Sequence, residues 1–317
     1  MCDSCVVFAP AWNTGTPITI YRDRSFATSK STPSTVRVVT TPDRTLDLGD
    51  VSLAVDDRGA QGGDATPLVL VHGFTGGRVD FADVIDDLAT DRRVVAWDHR
   101  GHNDSTNTGD PASYTIEQLT DDAWRALETL GIDRFHLLGH SMGGFVVQHM
   151  AVEQPERVAS LVLMDTSPNP MQIPREWIDR YAELGRTQGM LAVADAMAEL
   201  TAGYSVAPEA DRERIAARNH HKLREMDVEA YVSLSSALGS FEPVIGDVAS
   251  TPRPTTVVVG ELDQPFREPA EALAAAVPGA ELVVIDGAAH CPQEDRPEAW
   301  LAAIRAHLVR ADAARAG

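Results

Sequence analysis

The sequence predicts an α/β protein built on a mostly parallel sheet, and three observations carry that expectation. Short β-branched apolar runs recur from residue 68 onward, they are continuous rather than alternating in polarity, and stretches with helical spacing separate them. A strand that is apolar on both sides is buried on both sides, which calls for helices covering both faces of a parallel sheet.

The first element is a hairpin, Thr45 to Leu48 and Val51 to Val55, turned by Gly49 and Asp50, so the leading edge of the sheet is expected to be antiparallel. The buried runs that follow are Leu68 to Val71, Arg93 to Trp97, Phe135 to Leu138, Ala159 to Met164, Thr255 to Val259 and Glu281 to Ile285. Phe81 to Leu88 reads as a helix. So does the stretch opened by Thr115, where Gln118 completes a capping box, Ile116, Leu119, Ala123, Leu127 and Leu130 share one face, and Gly131 is the stop. Another helix runs from just after Ser141 to before Pro155, and the last carries Trp300, Leu301, Ile304 and Leu308 on one side. Between Asp165 and Thr255 lie about 90 residues, far more than a βα loop needs, so a structured insertion is expected. Glu176 to Leu184, Met190 to Thr201, Glu209 to Leu223 and Val228 to Leu238 have helix-forming composition, which predicts a helical cap over the carboxyl edge of the sheet.

The chain has 317 residues, 44% hydrophobic and 23% charged, enough to bury a sizeable core in one large domain. With 27 Lys and Arg against 47 Asp and Glu, the formal charge of −20 speaks against nucleic acid or an anionic membrane surface as partner. No apolar stretch is long enough to span a bilayer and no secretory signal pattern opens the chain, so the expected compartment is cytoplasmic. Cys2, Cys5 and Cys291 make no disulfide framework, and the Cys2 and Cys5 spacing has no second pair to complete a metal site. Residues 1–34 are rich in Ser, Thr and Pro and read as a loose N-terminal arm. No dinucleotide fingerprint, P-loop or metal-spaced cluster is present, so no cofactor is expected, and oligomeric state is not legible. The adjacent His220 and His221 point in different directions on any helix and are expected to face solvent.

The chemistry concentrates in Gly139-His140-Ser141-Met142-Gly143-Gly144, a G-x-S-x-G sequence between a predicted strand and a predicted helix. Such a turn strains the serine and exposes its hydroxyl at a helix N-terminus, with glycines where a Cβ would collide with neighbouring backbone. Ser141 is therefore the candidate nucleophile. His290, just past the last strand, is the candidate base, and Asp263, past the preceding strand, is the candidate acid that orients it. Asp165 and Glu261 also follow strands and are rivals for the acid. An oxyanion would need two donors: the backbone N–H of Met142, and one from His72-Gly73-Phe74-Thr75-Gly76-Gly77, where Phe74 N–H is the candidate. Met171, Trp177, Tyr181, Met190, Met197, Tyr204, Met226, Tyr231 and Phe241 give the insertion an apolar supply, and Trp177, Tyr181 and Met197 are candidates to line a pocket for a small-molecule substrate.

These motifs, with Asp98-His99-Arg100-Gly101-His102-Asn103-Asp104-Ser105, resemble the α/β-hydrolase fold superfamily over residues 45–310. The last segment is similar to a D-x-R-G-x-G-x-S loop with Asn103 in place of glycine, a mild departure because Asn tolerates left-handed geometry, and Arg100 and His102 are expected to fix the loop. The resemblance implies an eight-stranded, mostly parallel sheet with helices on both faces, formed by residues 35–166 and 251–317, and an inserted helical cap at 167–250. It points to the cap-bearing branch of esterases, lactonases and carbon–carbon bond hydrolases. A serine nucleophile argues against the dehalogenase and epoxide hydrolase members, which use aspartate. The expected activity is a serine hydrolase cleaving small carboxylic esters or lactones through an acyl-enzyme. Two alternatives stay open: carbon–carbon cleavage of diketone-like ring-fission products, weakened by Cys291 and His140 where that group usually has tryptophan and asparagine, and a non-hydrolytic ligand-sensing or lyase relative.

Overall fold

The computed structural model describes residues 41–59, 65–171, 173–201 and 206–316; the expected arm at 1–34, the Cys2 and Cys5 pair and Tyr204 lie outside them. Strands β1 (Arg44–Asp47), β2 (Ser52–Arg58), β3 (Leu68–Val71), β4 (Val94–Trp97), β5 (Phe135–His140), β6 (Val158–Met164), β7 (Thr255–Gly260) and β8 (Glu281–Ile285) form one sheet in the order β1-β2-β4-β3-β5-β6-β7-β8. Only the β1/β2 and β2/β4 pairs are antiparallel; every other neighbour is parallel. The sheet is thus the eight-stranded, mostly parallel one that the sequence predicts.

The continuous apolar runs have a direct cause in the pleat. Val69, Val71, Leu137, Leu161, Leu163, Val257 and Val259 join one core, while their neighbours Leu68, Leu70, Leu138, Val162, Met164 and Val258 join a second one. Successive side chains of a strand leave opposite faces, so each inner strand feeds both layers and has no polar side. The first layer is closed by α2 (Ile116–Thr129) and α3 (Met142–Glu153), and the second by α1 (Ile85–Leu88) with Trp300 and Ile304 of α11 (Pro297–Ala316).

Two local expectations are corrected. The segment Phe81 to Leu88 is not one helix: a 3-10 turn over Arg78–Phe81 gives way, at the non-helical Val84 (φ −129°, ψ −16°), to the single turn of α1. Arg78 sends its guanidinium into the core, and this tertiary pairing overrides local helix propensity. At Thr115 only half of the capping box forms: its Oγ1 accepts the Gln118 N–H at 3.1 Å, but the Gln118 amide turns to Asp121 and Asp122 instead.

Between β6 and β7 the chain forms α4 (Arg175–Gln188), α5 (Met190–Thr201), α6 (Arg212–Glu225), α7 (Val228–Ala237) and α8 (Ile245–Ser250). Helix α8 has no counterpart among the sequence expectations. The Asp227 N–H at the start of α7 donates to the Gly101 carbonyl at 2.9 Å, and α6 carries Lys222 and Arg218 against Asp80 and Glu294. After β7 come α9 (Gln264–Ala276), then β8, α10 (Pro292–Asp295) and α11. No helix among the described residues is long and apolar enough to cross a membrane.

Arg78 is fully buried and meets Asp56 at 3.3 Å, Asp98 at 3.3 Å and Asp104 at 2.7 Å. Arg78→Ala should lower the unfolding free energy by about 3–5 kcal/mol in urea titrations, because Asp56 and Asp98 lose their buried counter-charge.

Candidate active site

The sheet order reverses around β3, which lies between β4 and β5, and in an open α/β sheet the carboxyl edge at such a switch point is where a ligand crevice forms. Ser141 sits in that crevice at φ 53°, ψ −118°, between β5 and α3. This left-handed backbone is costly for serine and is held from three sides. The Ser141 N–H donates to Met164 O at 2.9 Å, and the Ser141 carbonyl accepts from Gly144 N–H and Thr166 Oγ1, each at 2.8 Å. Close approach explains the flanking glycines. A Cβ on Gly139 would lie 2.4 Å from Gly143 O, and one on Gly143 would lie 2.3 Å from Val71 O.

His290 follows β8 and Asp263 follows β7, so both reach the same sheet edge. His290 Nε2 is 3.1 Å from Ser141 Oγ, and His290 Nδ1 is 2.8 Å from Asp263 Oδ2. Asp263 is buried while the imidazole is part-exposed. Burial works against a charged imidazole here, but the charge of Asp263, its hydrogen bond and the more distant Asp295 outweigh it and raise the His290 pKa above the ordinary value. The Phe266 ring stacks on the other side of the imidazole, with centroids 4.8 Å apart. Of the two rivals for the acid, Glu261 turns its carboxylate away to accept Gly287 N–H at 2.7 Å, and Asp165 lies behind Asp263.

The β3 loop is pinned by a histidine whose tautomer the contacts define. His72 Nε2 accepts the backbone N–H of His99 at 3.0 Å, so Nδ1 carries the hydrogen and donates to Gly73 O at 2.8 Å. Complete burial and the nearby His99 and His102 keep this ring neutral, its pKa well below the usual range. The loop passes so near the β5 turn that a Cβ on Gly73 would lie 2.9 Å from Ser141 Cβ. Neither the Phe74 nor the Met142 N–H donates a hydrogen bond among the described residues, which leaves both available. His140 works from the other flank: its Nε2–H donates to the His290 carbonyl at 2.7 Å, and burial drives its pKa down to about 4. In the sequence His72 stands out only as part of a motif, and His140 only as that and as the residue in place of the asparagine usual in carbon–carbon hydrolases. The available signal was that each adjoins a backbone turn at a strand's carboxyl end.

Asn103 adopts φ 44°, in the left-handed region expected of it, and its side-chain amide donates to Gly76 O at 2.9 Å, tying its loop to the β3 loop. Arg100 spans to the buried Asp122, and His102 Nδ1 caps the Arg100 carbonyl at 3.1 Å, so both hold the loop in place. Trp177 and Tyr181 form a ring pair on α4 with centroids 5.0 Å apart, and Met197 packs against the same apolar core. The aromatic that meets the β3 loop is instead Tyr231 of α7, whose ring centroid is 5.2 Å from that of Phe74.

Asp165, Asp263 and His290 present one ligand atom each within 4.8 Å of one another, the spacing of a cation site. Both ring nitrogens of His290 are already engaged by Asp263 and Ser141, so the imidazole has none to offer a metal. His220 turns to Asp195 and His221 to Arg224, away from each other. A cleft of about 500 Å³ lies at the opposite, amino-terminal edge of the sheet, lined by Arg134, His136, Arg253 and Asp312 among others, and takes no part in the crevice at Ser141.

A family model described as alpha/beta hydrolase fold matches residues 66–297. Over 239 residues the chain is 30% identical to a putative carbamate hydrolase, RutD, of Rhizobium rhizogenes, an alignment that covers 74% of this chain and 89% of that protein. The structure of an enol-lactonase from Burkholderia xenovorans superposes with a TM-score of 0.73 at 27% identity, covering 84% of this chain and 100% of the other. A thermophilic esterase from Thermogutta terrifontis superposes with a TM-score of 0.71 at 28% identity, covering 82% and 94%.

The His290 environment generates a titration expectation. Followed by NMR, its imidazole should titrate above the ordinary value of about 6.5, and in Asp263→Asn it should titrate below it, since the raising charge is gone and the opposing effect of burial remains.

Proposed function

This chain belongs to the alpha/beta hydrolase fold family, and on that premise we propose that it is a serine hydrolase of small carboxylic esters or lactones, acting through an acyl-enzyme. The observation that carries the proposal is the unbroken line from Ser141 Oγ through His290 to Asp263, 3.1 Å and 2.8 Å, beside two undonated backbone amides.

In this reading Ser141 Oγ attacks the substrate carbonyl while His290 Nε2 takes its proton, and the imidazolium so formed is stabilised by Asp263. The Phe74 and Met142 amides hold the tetrahedral oxyanion. His290 then returns the proton to the departing alcohol oxygen. Water enters, loses a proton to His290 and attacks the acyl carbon, and the proton passes back to Ser141 Oγ as the acid leaves. With a lactone the alcohol stays tethered, and one hydroxy acid is released at the end.

Residues 167–250 act as the cap in this proposal, and the apolar side chains it brings to the crevice, beginning with Tyr231 against Phe74, receive the acyl part of a small-molecule substrate. The enol-lactonase and esterase that share the fold support ester and lactone chemistry.

The test is to treat wild type and Ser141→Ala with a fluorophosphonate probe, and with p-nitrophenyl esters and lactones of graded acyl length. Wild type should be labelled and turn over the short-chain members, and the variant should do neither. Labelling without turnover of any ester or lactone would move the assignment to carbon–carbon substrates. A wild type that takes no label would remove the activated serine altogether.

A further inference from the structure

Asp165 is more than a displaced rival for the triad acid. It is fully buried, it directly follows β6, and its backbone is held at φ 44°, one of four residues other than glycine in that region among those described. Its N–H donates to Val258 O at 2.9 Å, and its Oδ1 accepts Gly260 N–H at 2.9 Å. Its Oδ2 is buried with no hydrogen-bond donor facing it. A carboxyl oxygen of Asp165 lies within 4.8 Å of one from Asp263 and of a His290 ring nitrogen. Two carboxyl groups this close, away from water, do not both ionise.

The contacts decide which of them keeps the proton. Asp263 faces the His290 Nδ1–H, a donor that needs a charged acceptor, whereas Asp165 Oδ1 is satisfied by a neutral amide and Oδ2 has nothing to accept. Resting on the proposed role of Asp263, we infer that Asp165 is a neutral carboxylic acid whose Oδ2–H donates to the Asp263 carboxylate, making it a positioning residue for the triad acid. The groups facing it agree: burial disfavours its charged form, and Asp263, with Asp295 beyond, adds only negative charge, so its pKa lies well above the usual carboxylate range. Asp263 is then fixed between two donors, Asp165 on one side and His290 on the other, and its carboxylate cannot swing away from the imidazole. A charged Asp165 would instead add a second negative charge behind His290 and hold its proton more tightly.

Asparagine reproduces the neutral acid at this position: its carbonyl accepts Gly260 N–H and its NH₂ donates to Asp263. The fluorophosphonate labelling rate at Ser141 should fall roughly tenfold to a hundredfold in Asp165→Ala, the change expected for losing one hydrogen bond to a charged group. Asp165→Asn should rescue it, with the acid limb of the rate profile where wild type has it. In the infrared at neutral pH, Asp165→Asn should lose one protonated-carboxyl carbonyl stretch that wild type has, the band of the buried Asp98 persisting in both, a comparison that holds even if Asp165→Ala fails to fold. The inference is overturned by an Asp165→Ala rate equal to wild type, by an Asp165→Asn acid limb displaced to lower pH, or by the absence of that infrared difference, and each of these leaves the triad reading intact. Full labelling of Asp263→Asn together with loss in Asp165→Asn overturns the triad assignment itself, because Asp165 would then be the acid.

Discussion

The crevice depends on how closely two backbones approach. The β3 loop and the β5 turn run so near each other that Gly73 and Gly143 have no room for a Cβ, and Val71 O lies where a methyl on Gly143 would project. That approach sets the residue before Phe74 against Ser141, the residue before Met142. Everything else at the edge is arranged around this contact: His72 fastens the β3 loop from behind, Asn103 ties a third loop to Gly76, and His140 reaches across to the His290 carbonyl. Each is a neutral hydrogen bond in a buried or part-buried place, where it is stronger than in water and its loss is costly.

Charge does the complementary work at longer range. Lys222 and Arg218 of α6 are buried against Asp80 and Glu294, which flank the β3 loop and the His290 loop respectively, and Arg214 and Arg218 share Asp83. The helical insertion is therefore fastened to the β3 loop and to the loop that carries His290. Buried pairs of this kind contribute little net stability but are costly to break singly, so they specify one docking arrangement.

How much of this was legible in the sequence follows from which signals are local. The strands were, because burial on both faces leaves no polar position in a run such as Leu68 to Val71, and the observed β3 and β8 have the predicted bounds. The residues now seen together, Ser141, His290 and Asp263, were legible because each follows a strand and a parallel sheet sends all such positions to one edge. Phe81 to Leu88 was misread because the determinant is Arg78, whose partners Asp56, Asp98 and Asp104 come from other elements. Tyr231 was legible as one of the insertion's apolar residues but its contact with Phe74 was not: helical spacing says which residues share a face, but not which neighbour that face meets. Asp165 was visible as an acid after a strand, and nothing short of its hydrogen bonds could separate a donor from an acceptor there.

The Tyr231 and Phe74 contact has a consequence for how such a protein can change over generations. Phe74 meets the helical insertion with its ring, and its amide is the one proposed to stabilise the reacting oxygen, so in that proposal one residue belongs both to the surface that would sort substrates and to the backbone of the reaction. Substitutions in α7 that reshape the crevice press on the ring and, through it, on the amide. Under the proposed activity, substrate range and turnover are thereby inherited together, and drift toward a new substrate along α7 needs compensating change in the 72–77 loop.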